Sequence, residues 1–115
     1  MTEIWKDIPG YEGLYQVSNL GQVRSLKFGK IKILKQEDKN GYKRIQLKKK
    51  HFLVHRLVAI CFIDNPLNYP IINHKDEDPS NNKIDNLEWC SIQYNNNYSR
   101  KYINTKSKKV NCFDL

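Results

Sequence analysis

Cysteine is scarce in this chain and badly spaced for its usual roles. Cys61, Cys90 and Cys112 form an odd set without a C-x-x-C pair, which argues against a disulfide framework and a four-cysteine zinc site and leaves free thiols in a reducing compartment. In a mixed site from His55, Cys61, Cys90 and Cys112 only His55 and Cys61 approach ligand-pair spacing, which disfavours zinc. Long apolar runs are also missing: the longest, Leu57 to Ile63, has seven residues, against the roughly 20 that cross a bilayer. The start, Met1-Thr2-Glu3-Ile4-Trp5-Lys6-Asp7, has no basic region followed by an apolar stretch and so does not read as a signal peptide. The expectation is a soluble, intracellular, cytoplasmic protein with no membrane partner. With 115 residues there is no room for two large cores or a repeat array. At 39% hydrophobic and 11% aromatic the chain is too apolar for disorder. The last shortage is of acids: twelve Asp+Glu stand against twenty Lys+Arg, a net charge of +8 and a pI near 9.4. A polyanion is therefore the first partner to consider, nucleic acid ahead of an acidic membrane surface.

The charge is unevenly spread. Residues 1–23 carry a net −2, residues 24–56 a net +10 from twelve Lys/Arg against Glu37 and Asp38, residues 57–98 a net −4, and residues 99–115 a net +4. A basic block beside an acidic one suits a phosphodiester hydrolase, with a cationic track for the backbone and a polar pocket for a metal. Lysine runs of this kind are also compatible with a plain solvated face.

The first half reads as short strands broken by turns. Pro9-Gly10-Tyr11-Glu12-Gly13 is a double turn signal before strand-like Leu14-Tyr15-Gln16-Val17, and Asn19-Leu20-Gly21 is a turn before alternating Gln22-Val23-Arg24-Ser25-Leu26. Asn40-Gly41 is a strong tight-hairpin signal ahead of Tyr42–Leu47, where Lys43, Ile45 and Leu47 share one face. Lys48-Lys49-Lys50 predicts a basic turn before Phe52-Leu53-Val54. From His55 the apolar residues Leu57, Val58, Cys61 and Phe62 recur as on one face of a short helix, which Asn65-Pro66 ends. Ile71-Ile72-Asn73-His74 predicts a strand, Lys75 to Asp85 a polar loop, and Leu87-Glu88-Trp89-Cys90 a second strand. Ser91 is an N-cap for a helix running to about Ser99. Trp89, Leu87 and Phe62 read as core, and Trp5 and Tyr15 as the small core of the first half.

His74, Asn86 and Asn95 fall on the first strand, at the start of the second strand and in the first turn of the final helix. Phosphodiester hydrolysis needs a base to take a proton from water and a cation to stabilise charge on the phosphate and the leaving oxygen. His74 suits the base, with an unperturbed pKa of about 6.5. Asn73 and Asn95 offer amide oxygens, hard ligands that suit magnesium or manganese when the substrate phosphate completes the shell.

Val54-His55-Arg56-Leu57-Val58-Ala59, Phe62, Asn65-Pro66, Ile72-Asn73-His74-Lys75-Asp76, Asn81-Asn82, Asn86-Leu87-Glu88-Trp89 and Asn95, in that order, resemble the HNH endonuclease domain of phage and intron homing endonucleases. Upstream, Ile4 to Tyr11 and Tyr15 to Val23 are similar to the small nuclease-associated module that commonly precedes that domain. The resemblance implies an α+β chain: an N-terminal β-rich module over 1–49, a ββα-metal (His-Me finger) nuclease core over 50–100, and a basic tail or linker over 101–115 leading towards a DNA-reading region. It implies a metal-dependent DNA endonuclease leaving 5′-phosphate and 3′-hydroxyl ends, with one divalent cation, magnesium or manganese, no small-molecule cofactor, and double-stranded DNA as partner in the host cell of a phage or mobile element. His74 would be the general base, Asn73 and Asn95 the metal ligands, and Asn86 a brace for the loop between the strands. Two positions depart from the pattern. Many relatives have Asp where this chain has Asn73, which removes a negative ligand, and glycine is usual where Glu77 stands, which alters the loop turn.

Lys43, Arg44, Lys48, Lys49, Lys50, His55 and Arg56 are the expected DNA contacts, although His55 suits packing or capping better than a phosphate. A non-cleaving DNA-binding module accounts for the +10 block equally well. An RNA-binding role ranks last, since no aromatic-rich RNA-recognition motif is present.

Overall fold

The computed structural model describes residues 2–91. The helix expected after Ser91, Asn95, Cys112 and the basic segment 101–115 lie outside the described residues.

Four short strands open the chain: β1 (Trp5–Asp7), β2 (Tyr15–Ser18), β3 (Val23–Ser25) and β4 (Lys32–Ile33), joined antiparallel in that order. Alternation explains the central pair, because Tyr15 and Val17 on β2 and Val23 and Ser25 on β3 all turn inward. A second antiparallel sheet follows: β5 (Glu37–Lys39), β6 (Tyr42–Leu47) and β7 (Lys50–Leu53). Its first hairpin closes through Asn40 (φ 55°) and Gly41 (φ 89°), with Lys39 opposite Tyr42. Two consecutive positive φ values match strand twist in a two-residue turn, and Asn-Gly tolerates them best. The second hairpin closes the same way through Lys48 (φ 49°) and Lys49 (φ 72°), with Leu47 opposite Lys50. Lysine has no such tolerance, so this turn is strained.

The chain passes from β7 straight into α1 (Val54–Phe62), whose N-cap residue Leu53 makes no side-chain capping bond. Nine residues without a cap are marginal in isolation; the buried Val54, His55, Leu57, Val58 and Ala59 hold the helix by packing. Beyond it, the Asn65 amide closes a loop onto Tyr69, accepting from its N–H at 2.8 Å and donating to its carbonyl at 2.9 Å. Strands β8 (Ile71–His74) and β9 (Leu87–Cys90) then pair antiparallel with Ile71 opposite Cys90 and His74 opposite Leu87.

One core joins all of this. Val17 and Val23 from the first sheet, Ile45 and Leu47 from the second, Leu57 and Val58 from α1, Ile72 from β8 and Leu87 from β9 form one buried cluster. The boundary expected at residues 49 and 50 falls inside the β6–β7 hairpin, so the two halves share a sheet as well as a core. Hydrophobic periodicity marks an inward face but not which other segment fills the space beyond it. Tyr15 is buried as expected, whereas Trp5 is half-buried and carries the Arg24 guanidinium 4.1 Å from its ring centroid.

Candidate active site

His74 ends β8, and its side chain is only 3% exposed. Three groups surround the ring. His55 packs edge-on with centroids 5.0 Å apart, Tyr42 lies at 6.1 Å, and the Asn82 amide oxygen sits 2.9 Å from Nε2. An amide oxygen only accepts, so Nε2 carries the proton and donates to Asn82 Oδ1. The lone pair is therefore on Nδ1. Burial, then the charge of His55, push the His74 pKa down to about 4; the Asn82 bond and the carboxylates of Asp76 and Asp78 oppose this without reversing it. The base expected to titrate near 6.5 is thus neutral, and available as a proton acceptor, well below neutral pH.

Asn73 precedes it on the opposite face of the strand and is fully buried. Its Nδ2 donates to Glu88 Oε2 at 2.8 Å across the β8–β9 ribbon, where Asn73 stands opposite Glu88. Its Oδ1 has no hydrogen-bond partner among the described residues. A buried acceptor without a donor is costly, and a hard oxygen in that state fits a divalent cation. The described residues contain no group of three His, Cys, Asp or Glu side chains that would hold a metal by themselves.

Asn86 closes the loop between the strands. It is the last residue of a short 3₁₀ turn, Ile84–Asn86, immediately before β9 and not on it. Its Oδ1 accepts from the Asp76 N–H at 3.0 Å, and its Nδ2 donates to Asp76 Oδ1 at 3.0 Å and to the Asn81 carbonyl at 2.9 Å. Asn86 thus lies in the loop hydrogen-bond network, while Asn82 is the residue that touches His74. Burial tends to raise the Asp76 pKa, but donors from Asn81, the Asp78 backbone and Asn86 outweigh it and keep the carboxyl below its usual range. At the turn, Glu77 has φ 64°, a left-handed conformation that explains why glycine is usual there in the resembling family.

The expected DNA contacts divide into three groups. Lys48, Lys49 and Lys50 are exposed at the tip of the β6–β7 hairpin. Lys43 pairs with Asp38 and Arg44 with Glu37, each at 2.7 Å, so two of the cations are partly neutralised within their own sheet. The Arg44 hydrogen bonds and charge also hold the Glu37 carboxyl below its ordinary value. Arg56 lies half-buried with its guanidinium 5.8 Å from the Trp89 ring centroid. His55 is corrected: it has no exposed surface and its ring packs on His74 and Tyr42, away from any phosphate at the surface.

Sequence reasoning missed Asn82 and Glu88 as the partners of His74 and Asn73. Asn82 carries a weak signal in the Asn81-Asn82 pair within the loop. Glu88 carries none, because its position opposite Asn73 is a matter of strand register. Cys61 and Cys90 are free thiols; burial raises the first and, with Glu88 adding to it, pushes the second up to about 12. Neither is poised as a nucleophile.

Residues 3–48 match the NUMOD4 motif and residues 52–97 match the HNH endonuclease family. The chain is 47% identical over 113 residues to the DNA endonuclease I-HmuI of Bacillus phage SP01, covering 92% of this chain and 64% of that protein. The chain joins a NUMOD4 motif to an HNH endonuclease-family portion. An uncharacterised HNH endonuclease of Acanthamoeba polyphaga mimivirus is 41% identical over 103 residues, covering 86% of this chain and 30% of that protein. A solved structure of I-HmuI, described as showing DNA binding and cleavage by that HNH homing endonuclease, superposes with a TM-score of 0.77 at 40% identity, over 90% of this chain and 62% of the other. The chain therefore spans less than two thirds of the length of these relatives. The NUMOD4 and HNH portions make an α+β fold, a β-sheet module followed by a ββα core, and HNH nucleases generally use a divalent metal.

Proposed function

We propose that this chain is a metal-dependent DNA endonuclease in which His74 activates the attacking water. One observation carries the reading: a buried, neutral imidazole whose Nε2–H is engaged by Asn82, leaving Nδ1 as acceptor, on the strand residue that follows Asn73, whose side-chain oxygen has no donor among the described residues. Nδ1 takes a proton from water as it attacks the phosphorus of a phosphodiester. His55 and Tyr42 pack against the ring and limit its rotation. Asn73 and Asn95, with phosphate oxygens, would hold one magnesium or manganese ion, which supplies positive charge to the phosphate and the leaving oxygen. Hydrolysis in this sense leaves 5′-phosphate and 3′-hydroxyl ends. The basic residues 24–56 supply the track for double-stranded DNA, and the natural setting is the cytoplasm of the host of a phage or mobile element. Phosphate contacts position DNA without specifying its sequence, so cutting guided by this basic track has loose sequence preference.

The test is incubation of supercoiled plasmid with protein and magnesium against a chelator control. Cleavage is expected only with the cation. His74→Ala should lower the rate by a factor on the order of 10²–10⁴ while DNA affinity stays within about twofold, because no phosphate contact is removed. DNA binding without cation-dependent cleavage, or undiminished cleavage by His74→Ala, would overturn the assignment; the first of these results would leave a non-cleaving DNA-binding module.

A further inference from the structure

The NUMOD4 portion and the HNH portion meet at the residue that holds the candidate base. Asn82 is 4% exposed and lies between His74 on one side and the Ser18–Gln22 turn on the other. At the turn, Gly21 has φ +87°, and a Cβ built there would lie 3.1 Å from Asn82 Cβ, 3.1 Å from its carbonyl oxygen and 3.3 Å from its carbonyl carbon. A side chain there would press on the Asn82 backbone and force it to shift by a few tenths of an ångström, on top of the strain of a positive φ that glycine adopts freely. Two residues beyond Asn82, the Ile84 N–H donates to the Asn19 carbonyl at 2.9 Å. The loop is therefore seated on the N-terminal sheet at Gly21 and at Asn19.

The seat itself is heavily tied. Ser18 Oγ accepts from the N–H groups of Leu20 and Gln22, each at 3.1 Å, and Gly21 N–H donates to the Ser18 carbonyl at 3.0 Å. Gln36 Nε2 donates to the Gly21 carbonyl at 2.8 Å. Asn19 accepts at Oδ1 from the Ile4 N–H at 2.8 Å and donates through Nδ2 to the Thr2 carbonyl at 3.1 Å. Ser18 and Asn19 are buried with these bonds made. Such a network has few alternative arrangements, whereas loop 75–86 has no regular structure apart from its last turn.

The geometry points to Gly21 and its turn as a positioning element for the base: the N-terminal sheet sets Asn82, and Asn82 sets the ring orientation and proton position of His74. This rests on the function proposed above, but its first readout does not depend on cleavage. Asn82 reaches the reaction only through His74, and Gly21 only through Asn82, so both are positioning residues. The N-terminal module then does more than add binding surface, since the nuclease core lacks part of its alignment without it.

The experiment uses the full chain without metal, with imidazole nitrogen-15 NMR at pH 7.5 reporting which nitrogen of His74 carries the proton, the signal assigned by its disappearance in His74→Ala. Wild type is expected in the Nε2–H form. Asn82→Ala removes the acceptor and should move the population towards Nδ1–H, while Asn82→Asp keeps an acceptor oxygen and should restore Nε2–H. Gly21→Ala should produce part of the Asn82→Ala shift. Gly13→Ala is the control: its φ is +80°, so the backbone strain is similar, but nothing lies within 4 Å of the added Cβ, and it should leave His74 and cleavage near wild type. In plasmid cleavage, Asn82→Ala and Gly21→Ala should lower kcat about tenfold or more with KM within about twofold, a loss of alignment and not of binding. A wild-type Nδ1–H ring would overturn the proposal, as would an Asn82→Ala variant unchanged in both readouts, or Gly21→Ala and Gly13→Ala behaving alike. A wild-type protein that shows the expected tautomers but cuts no DNA would defeat the proposed function and leave the positioning geometry standing.

Discussion

Replacing Lys48 with Asn and Lys49 with Gly should make the protein more stable and a weaker ligand for DNA at the same time. Both lysines occupy the central positions of a two-residue hairpin turn with φ of 49° and 72°. A side-chain-bearing residue in the left-handed region costs roughly 1–2 kcal/mol. Asn-Gly closes the preceding hairpin of the same sheet at φ 55° and 89°, so the replacement is one this backbone already uses. Glycine loses more freedom on folding, roughly 0.5–1 kcal/mol, which leaves a net gain of about 1–2 kcal/mol for the pair. Urea unfolding should show it as a higher midpoint at unchanged m-value. The opposite effect is expected in binding. Lys48 and Lys49 are exposed at the tip with no ion pair among the described residues, and each DNA phosphate deprived of its lysine should flatten the log–log salt dependence by about 0.9. A double replacement that flattened it by about 1.8 would mean that both lysines meet phosphates, and that the strained turn is kept for charge. An unchanged slope would refute that and reduce them to a solvated turn, while a fall in stability would refute the strain argument.

Three further outcomes are expected. Glu77→Gly relieves φ 64° in the loop after His74 and should raise stability by up to about 1 kcal/mol; a lowered urea midpoint would show that Glu77 contributes more through its side chain than it loses in its backbone. Asn73→Asp turns the Asn73–Glu88 hydrogen bond of 2.8 Å into facing carboxylates, whose repulsion at 4 Å runs from about 1 kcal/mol in water to about 4 kcal/mol at an effective dielectric of 20. The melting temperature should fall in chelator and recover with millimolar magnesium, and an equal Tm in chelator would mean that Glu88 moves away. Finally, the His74 pKa of about 4 in the folded state lies below the ordinary value of 6.5, so the unfolded chain takes up a proton first as pH falls. The stability due to a neutral His74 is thus fully present above about pH 6.5 and is lost as pH drops towards 4, by about 3 kcal/mol at most; chelator-treated His74→Gln should show a flatter pH–stability curve than wild type in that window, and parallel curves would remove His74 as its source.

The sequence by itself determined the local elements and the order of the chemistry. Asn40-Gly41 specified a hairpin because few residue pairs accept two positive φ values, alternation over Tyr42–Leu47 specified which face of β6 is buried, and Leu57 and Val58 specified the inward stripe of α1. The ordered run through Asn73-His74, Asn86 and Leu87-Glu88-Trp89 was legible as an HNH pattern through its resemblance to that family, because spacing alone is a weak signal in a chain rich in asparagine. Only the tertiary structure decided what stands opposite them. Periodicity names a face and leaves the partner open, and strand register, in which a one-residue slip reverses every side chain, put Glu88 against Asn73 and paired Arg44 with Glu37. Burial, which depends on segments distant in the chain, withdrew His55 from the surface and lowered the His74 pKa. The close approach of Gly21 to Asn82 joins residues of the first sheet and the β8–β9 loop through a shared core, and no spacing within either segment encodes it.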